Sequence, residues 1–565
     1  LDILRRSCDE VVQMDRVIAR ARSTRARRMS GAALLTALCL AATGCGAAPG
    51  PAFSGGGPEA SLDTLDSSQP WGGDPATEGT PVRGGTVVVG MYTESRSFDP
   101  TSGNSLMATA IYDSLLKLDS EGQPQPRLAE SMTSPDGGTT WVLKLRPGVT
   151  FHDGTPLDAD AVIFNVRRQL DIPTANGHLY TEPIAAMVAT DPLTVTFTLK
   201  RSTSTFPVTF ALPFSQGNLG SIASPTAVQQ QGENYGRNPV GAGPFKFVSW
   251  TQDNRTLVER FDGYWEEGKP YLDAIEFRPL PDTESRYASV VNGDIDLDIG
   301  GFFSELQAAS ANDDLETYWG PGGDGQYLYF NLTKPPFDDR RMREALIRAL
   351  DPQALNATQY RGQGQLATTP FAEDSPYFSQ DAAAAYPGYD VEKAKQLVAD
   401  YVASGGDPTF TYNTGNSPDD HQLASFLQAQ WAAVGVTTNV QFDDISTFIG
   451  PVVRGTTFGT ATWITGPYEN PYPFMVNQYR TGGINNFGKY SNPEVDAALD
   501  EASATADPAA QIAAYQRAQV LLSNDLPVLW LSRAAKAAIA HPSVKGVSRY
   551  LSSEIFWAGM WKAPQ

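Results

Sequence analysis

Several side-chain groups in this sequence could do chemistry. His152-Asp153-Gly154 sets an imidazole beside a carboxylate, Asp294-Ile295-Asp296-Leu297-Asp298 spaces three carboxylates at alternate positions, and Pro335-Pro336-Phe337-Asp338-Asp339 ends in paired acids. Each has a plainer reading. Asp-Gly is a turn former and a strand pattern precedes it, so His152-Asp153 reads as part of a turn. Acids alternating with apolar residues are expected to face solvent from one side of a strand. Two prolines before two aspartates read as a rigid turn followed by a helix cap. Paired carboxylates could also cleave glycosides, but any acid-rich chain offers such pairs, so the signal is unspecific.

Metal and thiol chemistry find little support. The four histidines (His152, His178, His421, His541) share no metal-binding spacing. The three cysteines (Cys8, Cys39, Cys45) all lie in the first 45 of 565 residues. That excludes a disulfide framework, a cysteine-ligated zinc and a cysteine nucleophile from the main body. No metal, no cofactor and no catalysis are expected. The 42 Lys+Arg against 63 Asp+Glu give a net charge of −21, the wrong sign for a phosphate-binding face, so no nucleic-acid partner is expected.

Residues 1–45 read as an address. A basic run (Arg16, Arg20, Arg22, Arg25, Arg27, Arg28) precedes the apolar stretch Gly31 to Ala42 and then Thr43-Gly44-Cys45. Charged start, short apolar middle and small residues at the end make a secretory signal. The apolar run falls short of the roughly 20 residues that span a bilayer. Cleavage before Cys45 would take the chain from 42 basic and 63 acidic residues to 34 and 59, or −25. That charge suits an exported protein that must not adhere to an anionic membrane. Residues 46–82, rich in Gly, Pro, Ser, Asp and Ala, read as a flexible tether.

Beyond Arg83 the pattern is globular. Thr86 to Val89 is β-rich; Trp141, Leu143 and Leu145 alternate along a strand that stops at Pro147-Gly148; Leu193 to Leu199 and Leu272 to Phe277 are further strands. Helical spacing appears at Met342–Leu350 with Asp338 or Asp339 as cap, at Val391–Tyr401 with Asp390 as cap, at Leu423–Val434, and at Pro508–Leu522; Val436 to Phe442 reads as a strand. Alternating strands and helices argue for α/β layers.

Several blocks then carry a resemblance. They are Leu128-Ala129-Glu130-Ser131 through Asp136-Gly137, Trp141 to Gly148, Phe151 to Pro156, Gly241-Ala242-Gly243-Pro244-Phe245, Tyr264-Trp265, Gly293 to Asp296, Asn331 to Asp339, Arg343 to Leu346, and Tyr490 to Asp496. In this order, from about residue 84 to 532, they resemble the bacterial extracellular solute-binding proteins of family 5, the oligopeptide/dipeptide/nickel type served by ABC transporters. Ala42-Thr43-Gly44-Cys45 likewise resembles a lipobox, which implies lipidation of Cys45 and a membrane anchor. The resemblance implies a periplasmic-binding-protein type II-like α/β fold of two main lobes plus an extra subdomain, joined by a hinge. The expected division is 1–45 signal, 46–82 tether, 83–104 with 200–325 and 535–565 as a discontinuous first lobe, 105–199 as the extra subdomain, and 326–534 as the far lobe. The expected partners are a peptide or small-molecule ligand and membrane permease subunits, with the chain itself a monomer.

The same resemblance directs attention to strand ends. Glu94, Ser95 and Arg96 follow the first strand, in a segment that in oligopeptide binders lies against the ligand backbone. Tyr329 and Asn331, with Tyr327, lie where the chain is expected to cross between lobes. Tyr412 and Asn413 end a strand and enter a polar loop. Arg454 could pair a ligand carboxylate. Trp463 could stack on a sugar, a peptide side chain or a cation. Oligopeptide binders usually place an Asp three residues after this Trp to pair with the peptide's α-ammonium group; here Trp463-Ile464-Thr465-Gly466 puts a glycine there. A desolvated ammonium needs a counter-charge, which Glu469 or Glu94 would have to supply. An oligopeptide or modified peptide is the leading expected ligand. An oligosaccharide is the alternative, and an anchored adhesion or signalling module is the reading outside transport.

Overall fold

The computed structural model describes residues 78–564, apart from 104, 120–121, 300–302, 361, 363, 365, 445–446, 465–469 and 549–554. The signal, Cys45 and the greater part of the tether therefore lie outside the described residues. Glu78 already touches the body: its carboxylate accepts hydrogen bonds from the Gly546 N–H and the Tyr318 hydroxyl.

One ten-stranded sheet runs through both lobes. Its spatial order is Thr437–Phe442, Thr409–Thr414, Thr460–Ile464, Glu316–Phe330, Val528–Ala540, Leu297–Ile299, Thr86–Met91, Ala274–Pro279, Arg255–Arg260 and Phe245–Thr251. Thr86–Met91 lies parallel to both its neighbours, and Thr409–Thr414 to both of its own. Each lobe thus has a parallel centre, and in open α/β sheets the usual place for a ligand is beyond the carboxyl ends of such strands.

The two longest strands, Glu316–Phe330 and Val528–Ala540, connect the lobes. They pair antiparallel from Glu316↔Ala540 to Pro321↔Ala535, lose register, and resume from Gly325↔Arg533 to Tyr329↔Val528. The interruption falls on Pro321-Gly322-Gly323-Asp324-Gly325. Proline cannot donate to a ladder, and glycine weakens one, so the pairing yields at the crossing. These strands are the hinge.

The extra subdomain is a four-stranded antiparallel sheet ordered Ala129–Thr133, Thr140–Leu145, Thr194–Leu199 and Ile184–Asp191, with helix Ala159–Asp171 beside it. Leu143, Leu145, Val195 and Phe197 point inward from alternating positions. The first lobe has its own core around Val87, Val89, Phe277, Leu297 and Trp557. The far lobe has another around Leu328, Leu346, Leu397, Tyr412 and Trp431.

Helix starts follow side-chain chemistry. Asp339 caps Arg340–Arg348 by accepting from the Arg341 N–H, and Asp390 caps Val391–Ala403 by accepting from Lys393. Ser417 and Asp420 form a reciprocal capping box at Pro418–Ala432. Asp351 caps a further helix, Pro352–Gln359, by accepting from the Gln353 and Ala354 N–H groups.

The alternating aspartates overturn an expectation. Only Asp294 faces solvent. Asp296 accepts the Val88 N–H and the Lys562 ammonium, each at 2.8 Å. Asp298 is fully buried with Arg286, Nε to Oδ1 at 2.5 Å. The reason is position. Leu297–Ile299 lies inside the sheet, and both its faces are covered, as in other parallel-centred sheets.

Gly325 shows how tightly the hinge resumes its pairing. A Cβ there would stand 2.0 Å from the Ser532 carbonyl oxygen. Gly325→Ala must displace one hinge strand, and overpacking of this kind costs about 1–3 kcal/mol. The urea unfolding midpoint should fall accordingly, whereas Gly388→Ala, where a Cβ meets nothing within 4 Å, should leave it unchanged.

Candidate functional site

Strand pairing builds an aromatic wall on the far-lobe side of the hinge. In the register between Glu316–Phe330 and Thr460–Ile464, Tyr327 stands opposite Trp463 and Tyr329 opposite Ala461. The Tyr327 and Tyr329 rings meet edge to face at 4.9 Å. Phe487 joins them, 5.6 Å from Tyr329 and 5.4 Å from Trp463. Phe448 lies 6.1 Å from Trp463, and Trp530 lies 5.4 Å from Tyr327. Edge-to-face contacts let each ring's positive rim meet a neighbour's negative face.

Trp463 differs from the rest of this wall. Tyr327, Tyr329, Phe448, Phe487 and Trp530 are buried, but Trp463 is only half-buried. Its indole is held by Phe448 and Phe487 and still offers surface for stacking. Residues 465–469, which follow this strand, include Thr465, Gly466 and Glu469 and lie outside the described residues. Arg454 ends the π-helical segment Phe448–Arg454.

The polar candidates are engaged by partners within the far lobe. The Tyr329 hydroxyl donates to the Asn485 carbonyl at 2.7 Å, and burial raises its pKa. The Gln478 amide donates to the Tyr327 hydroxyl at 2.8 Å. Asn331, fully buried, donates to the Thr456 and Phe458 carbonyls and accepts from the Thr333 hydroxyl. The Tyr412 hydroxyl bonds that of Thr462, and burial pushes its pKa up to about 12. Asn413 donates to Asp443 at 2.8 Å.

Across the sheet, the segment after Thr86–Met91 is folded on itself. Glu94 Oε1 accepts from the Trp250 indole at 2.7 Å and the Asp253 N–H at 2.9 Å. The buried Ser95 hydroxyl donates to the Ser97 carbonyl, and Arg96 is exposed. The structure thus brings Tyr329 and Trp463 together. It places Glu94 to Arg96 on the other lobe, and Tyr412 and Asn413 on the neighbouring strand. Phe448, Phe487 and Trp530 were not legible in the sequence as members of one group. They lie up to 82 residues apart, and only the strand register gathers them.

His152 serves the turn that its sequence suggested. Its Nε2–H donates to the Gly243 carbonyl at 3.0 Å, and burial lowers its pKa to about 4, so the ring stays neutral. Asp153 accepts from Thr155 and Ser224. Among the described residues, no group of three or more His, Cys, Asp or Glu is arranged to hold a metal, and no helix is long and apolar enough to cross a membrane.

Comparison with known proteins gives this geometry a context. Residues 123–486 match the family described as bacterial extracellular solute-binding proteins, family 5 Middle. The chain is 30% identical over 456 residues to the glutathione-binding protein GsiB of Shigella flexneri, covering 78% of this chain and 87% of that protein. The same figures hold for GsiB of Escherichia coli (strain K12). Among solved structures it is similar to the oligopeptide-binding protein AppA from Bacillus subtilis in complex with a nonapeptide (TM-score 0.75, 23% identity, 86% of this chain and 100% of that one). It is also similar to NikA from Staphylococcus aureus in complex with Ni(L-His)2 (TM-score 0.71, 21% identity, 83% and 97%). These likenesses show the shared two-lobed fold.

Glu94 offers a direct check on what these contacts do. Glu94→Ala removes the acceptor for two donors, one half-buried and one exposed, a loss of about 0.5–1.5 kcal/mol. Thermal unfolding should begin earlier. Affinity for solute should stay within about twofold, under 0.5 kcal/mol. A large affinity loss without a stability loss would make Glu94 a ligand contact.

Proposed function

The chain belongs to the bacterial extracellular solute-binding proteins of family 5, the solute-binding components of ABC importers, and we propose that its solute is an oligopeptide or a modified peptide. The observation that carries this reading is the half-buried Trp463, braced by Phe448 and Phe487 beside the strand end where the lobes meet. A flat apolar surface of this kind suits a peptide side chain or the edge of a peptide unit. Support also comes from GsiB, named for glutathione, which is itself a modified tripeptide, and from AppA, solved with a nonapeptide.

In this reading Trp463 is the far-lobe contact, and the sequence candidates Thr465, Gly466, Glu469 and Arg454 are proposed to join it. Tyr329, Asn331, Tyr412 and Asn413 shape the wall behind them, and Ser95 and Arg96 close from the first lobe on a segment that Glu94 anchors to Trp250 and Asp253. That lobe comprises 83–104, 200–325 and 535–565; the extra subdomain is 105–199 and the far lobe 326–534. The chain acts as a monomer, held at the outer face of the cell membrane by a lipid on Cys45, and delivers its solute to permease subunits. Nothing in this role requires a cofactor.

The ligand class is tested through Gly466. A pocket without the ammonium-binding Asp gains little from a free N-terminus. A charge-assisted hydrogen bond is worth roughly 1.5–3 kcal/mol, so its absence should leave N-acetylated and free peptides within about fivefold of each other. Trp463→Ala should weaken binding at least about tenfold, or about 1.4 kcal/mol. Calorimetry with matched peptides, glutathione included, measures both. If acetylation abolishes binding, Glu469 supplies the counter-charge; if only an oligosaccharide binds, the peptide reading falls. The anchor is tested separately. Cys45→Ala should release the protein from membranes of a bacterium that processes lipoproteins, because stable anchoring needs two or more acyl chains. Unchanged membrane fractionation would refute it.

A further inference from the structure

Three sets of contacts tie the extra subdomain to the far lobe, and none lies on the hinge strands. The first is at the tip of the hairpin made by Leu116–Leu118 and Pro124–Pro126, where Asn470 Nδ2 donates to the Gly122 carbonyl at 2.8 Å. Beside it, the Gln123 side chain meets the Tyr377 hydroxyl. In the second, helix His178–Thr181 brings the Tyr180 phenol to Asn477 and close to the Tyr472 hydroxyl. The third follows strand Thr194–Leu199. The Ser204 N–H donates to the Ser503 carbonyl at 3.1 Å, and its hydroxyl reaches the Ser503 and Thr505 carbonyls. The Ser204 turn lies just past the expected subdomain boundary at residue 199 but is fastened to the subdomain, since the Trp141 indole donates to the Thr203 carbonyl and the Thr203 N–H to that of Gly138.

These contacts have the chemistry of a built interface. Ser503 and Thr505 lie at the C-terminal end of helix Pro493–Ala504. The last carbonyls of a helix have no partner within it, and Ser204 supplies donors to this end. Tyr180, Tyr472, Asn470 and Asn477 are each no more than 8% exposed. Parting the lobes would wet all four and return the helix end to water. Apolar packing is continuous across the same boundary: Phe197, Phe206 and Phe210 on one side belong to one buried cluster with Tyr472, Phe474 and Tyr515 on the other.

We propose that the extra subdomain is a latch: it grips the far lobe through Gly122, Tyr180 and Ser204, so that lobe closure has a stability of its own, separate from what a bound solute adds. The latch rests on the lobes turning about the hinge strands and not on the identity of the solute. A ligand shifts a two-state equilibrium only by its differential affinity for the two states. With a latch present, part of the bias toward closure is already supplied by the protein.

The test is a distance measurement on solute-free protein. Residues 46–565 hold no cysteine. In the full chain with Cys8, Cys39 and Cys45 replaced by Ser, spin labels at Val188→Cys on the subdomain and Val402→Cys on the far lobe therefore report their separation alone. Both sites are exposed. Bound solute is removed by unfolding in guanidinium and refolding by dialysis. The latch predicts a majority short distance. It also predicts that Ser204→Ala with Asn470→Ala lowers the short-to-long ratio about tenfold, the effect of the lost Ser204 hydroxyl and Asn470 amide hydrogen bonds. Thr358→Ala, which removes a hydroxyl bond to Ala354 on a far-lobe helix, should leave the ratio alone. Only long distances in the parent, an unchanged ratio in the double variant, or an equal fall in Thr358→Ala would each overturn the latch.

Discussion

Everything in this molecule hangs on two strands that must belong to both lobes at once. Glu316–Phe330 and Val528–Ala540 carry hydrogen-bonded ladders in the first lobe, cross, and carry them again in the far lobe. A ladder resists bending in its own plane, so a continuous pair would fuse the lobes. Pro321 and the glycines after it relieve this constraint by interrupting the register for a few residues. Each half of the crossing stays rigid, and the compliance is concentrated between them. The aromatic wall begins directly after the break, at Tyr327 and Tyr329, so whatever the lobes enclose is felt close to the place where they turn.

The wall and the latch divide the work of closure between different chemistries. Near the hinge, rings pack on rings, and Trp463 keeps part of its surface uncovered. Farther out, amides, phenols and a serine meet carbonyls that otherwise would be hydrated. Buried polar groups of this kind must find partners or pay a desolvation cost. They therefore favour one relative placement of the two surfaces over sliding alternatives.

Much of the local structure was legible because it rests on nearest-neighbour chemistry. Asp339 and Asp390 announced their helices, and Trp141, Leu143 and Leu145 announced their strand, since capping and alternation need only adjacent residues. The ordered family blocks made the two-lobed fold legible as well. Asp298 was misread because alternation tells which residues share a face but not whether that face is covered. Its burial follows from the strands on either side, Thr86–Met91 and Val528–Ala540, which lie about 200 residues away in the chain on one side and 240 on the other. The wall formed by Phe448, Phe487 and Trp530 was hidden for the same reason. No spacing rule links these residues until the register sets Tyr327 opposite Trp463.

A sheet shared by both lobes has only two edges, however many lobes it serves. Two separate sheets would have had four, each a row of unpaired backbone groups able to recruit another chain. Here the edges lie at the extremes of the molecule. Phe245–Thr251 carries Lys246 and a bulge between Phe247 and Ser249, both of which discourage a further strand. Thr437–Phe442 is built largely of threonine, asparagine and glutamine, and one face of its terminal Phe442 ring stacks on His421 at 3.7 Å. Joining the lobes through one sheet therefore also leaves fewer open edges at which a second copy of the chain could pair.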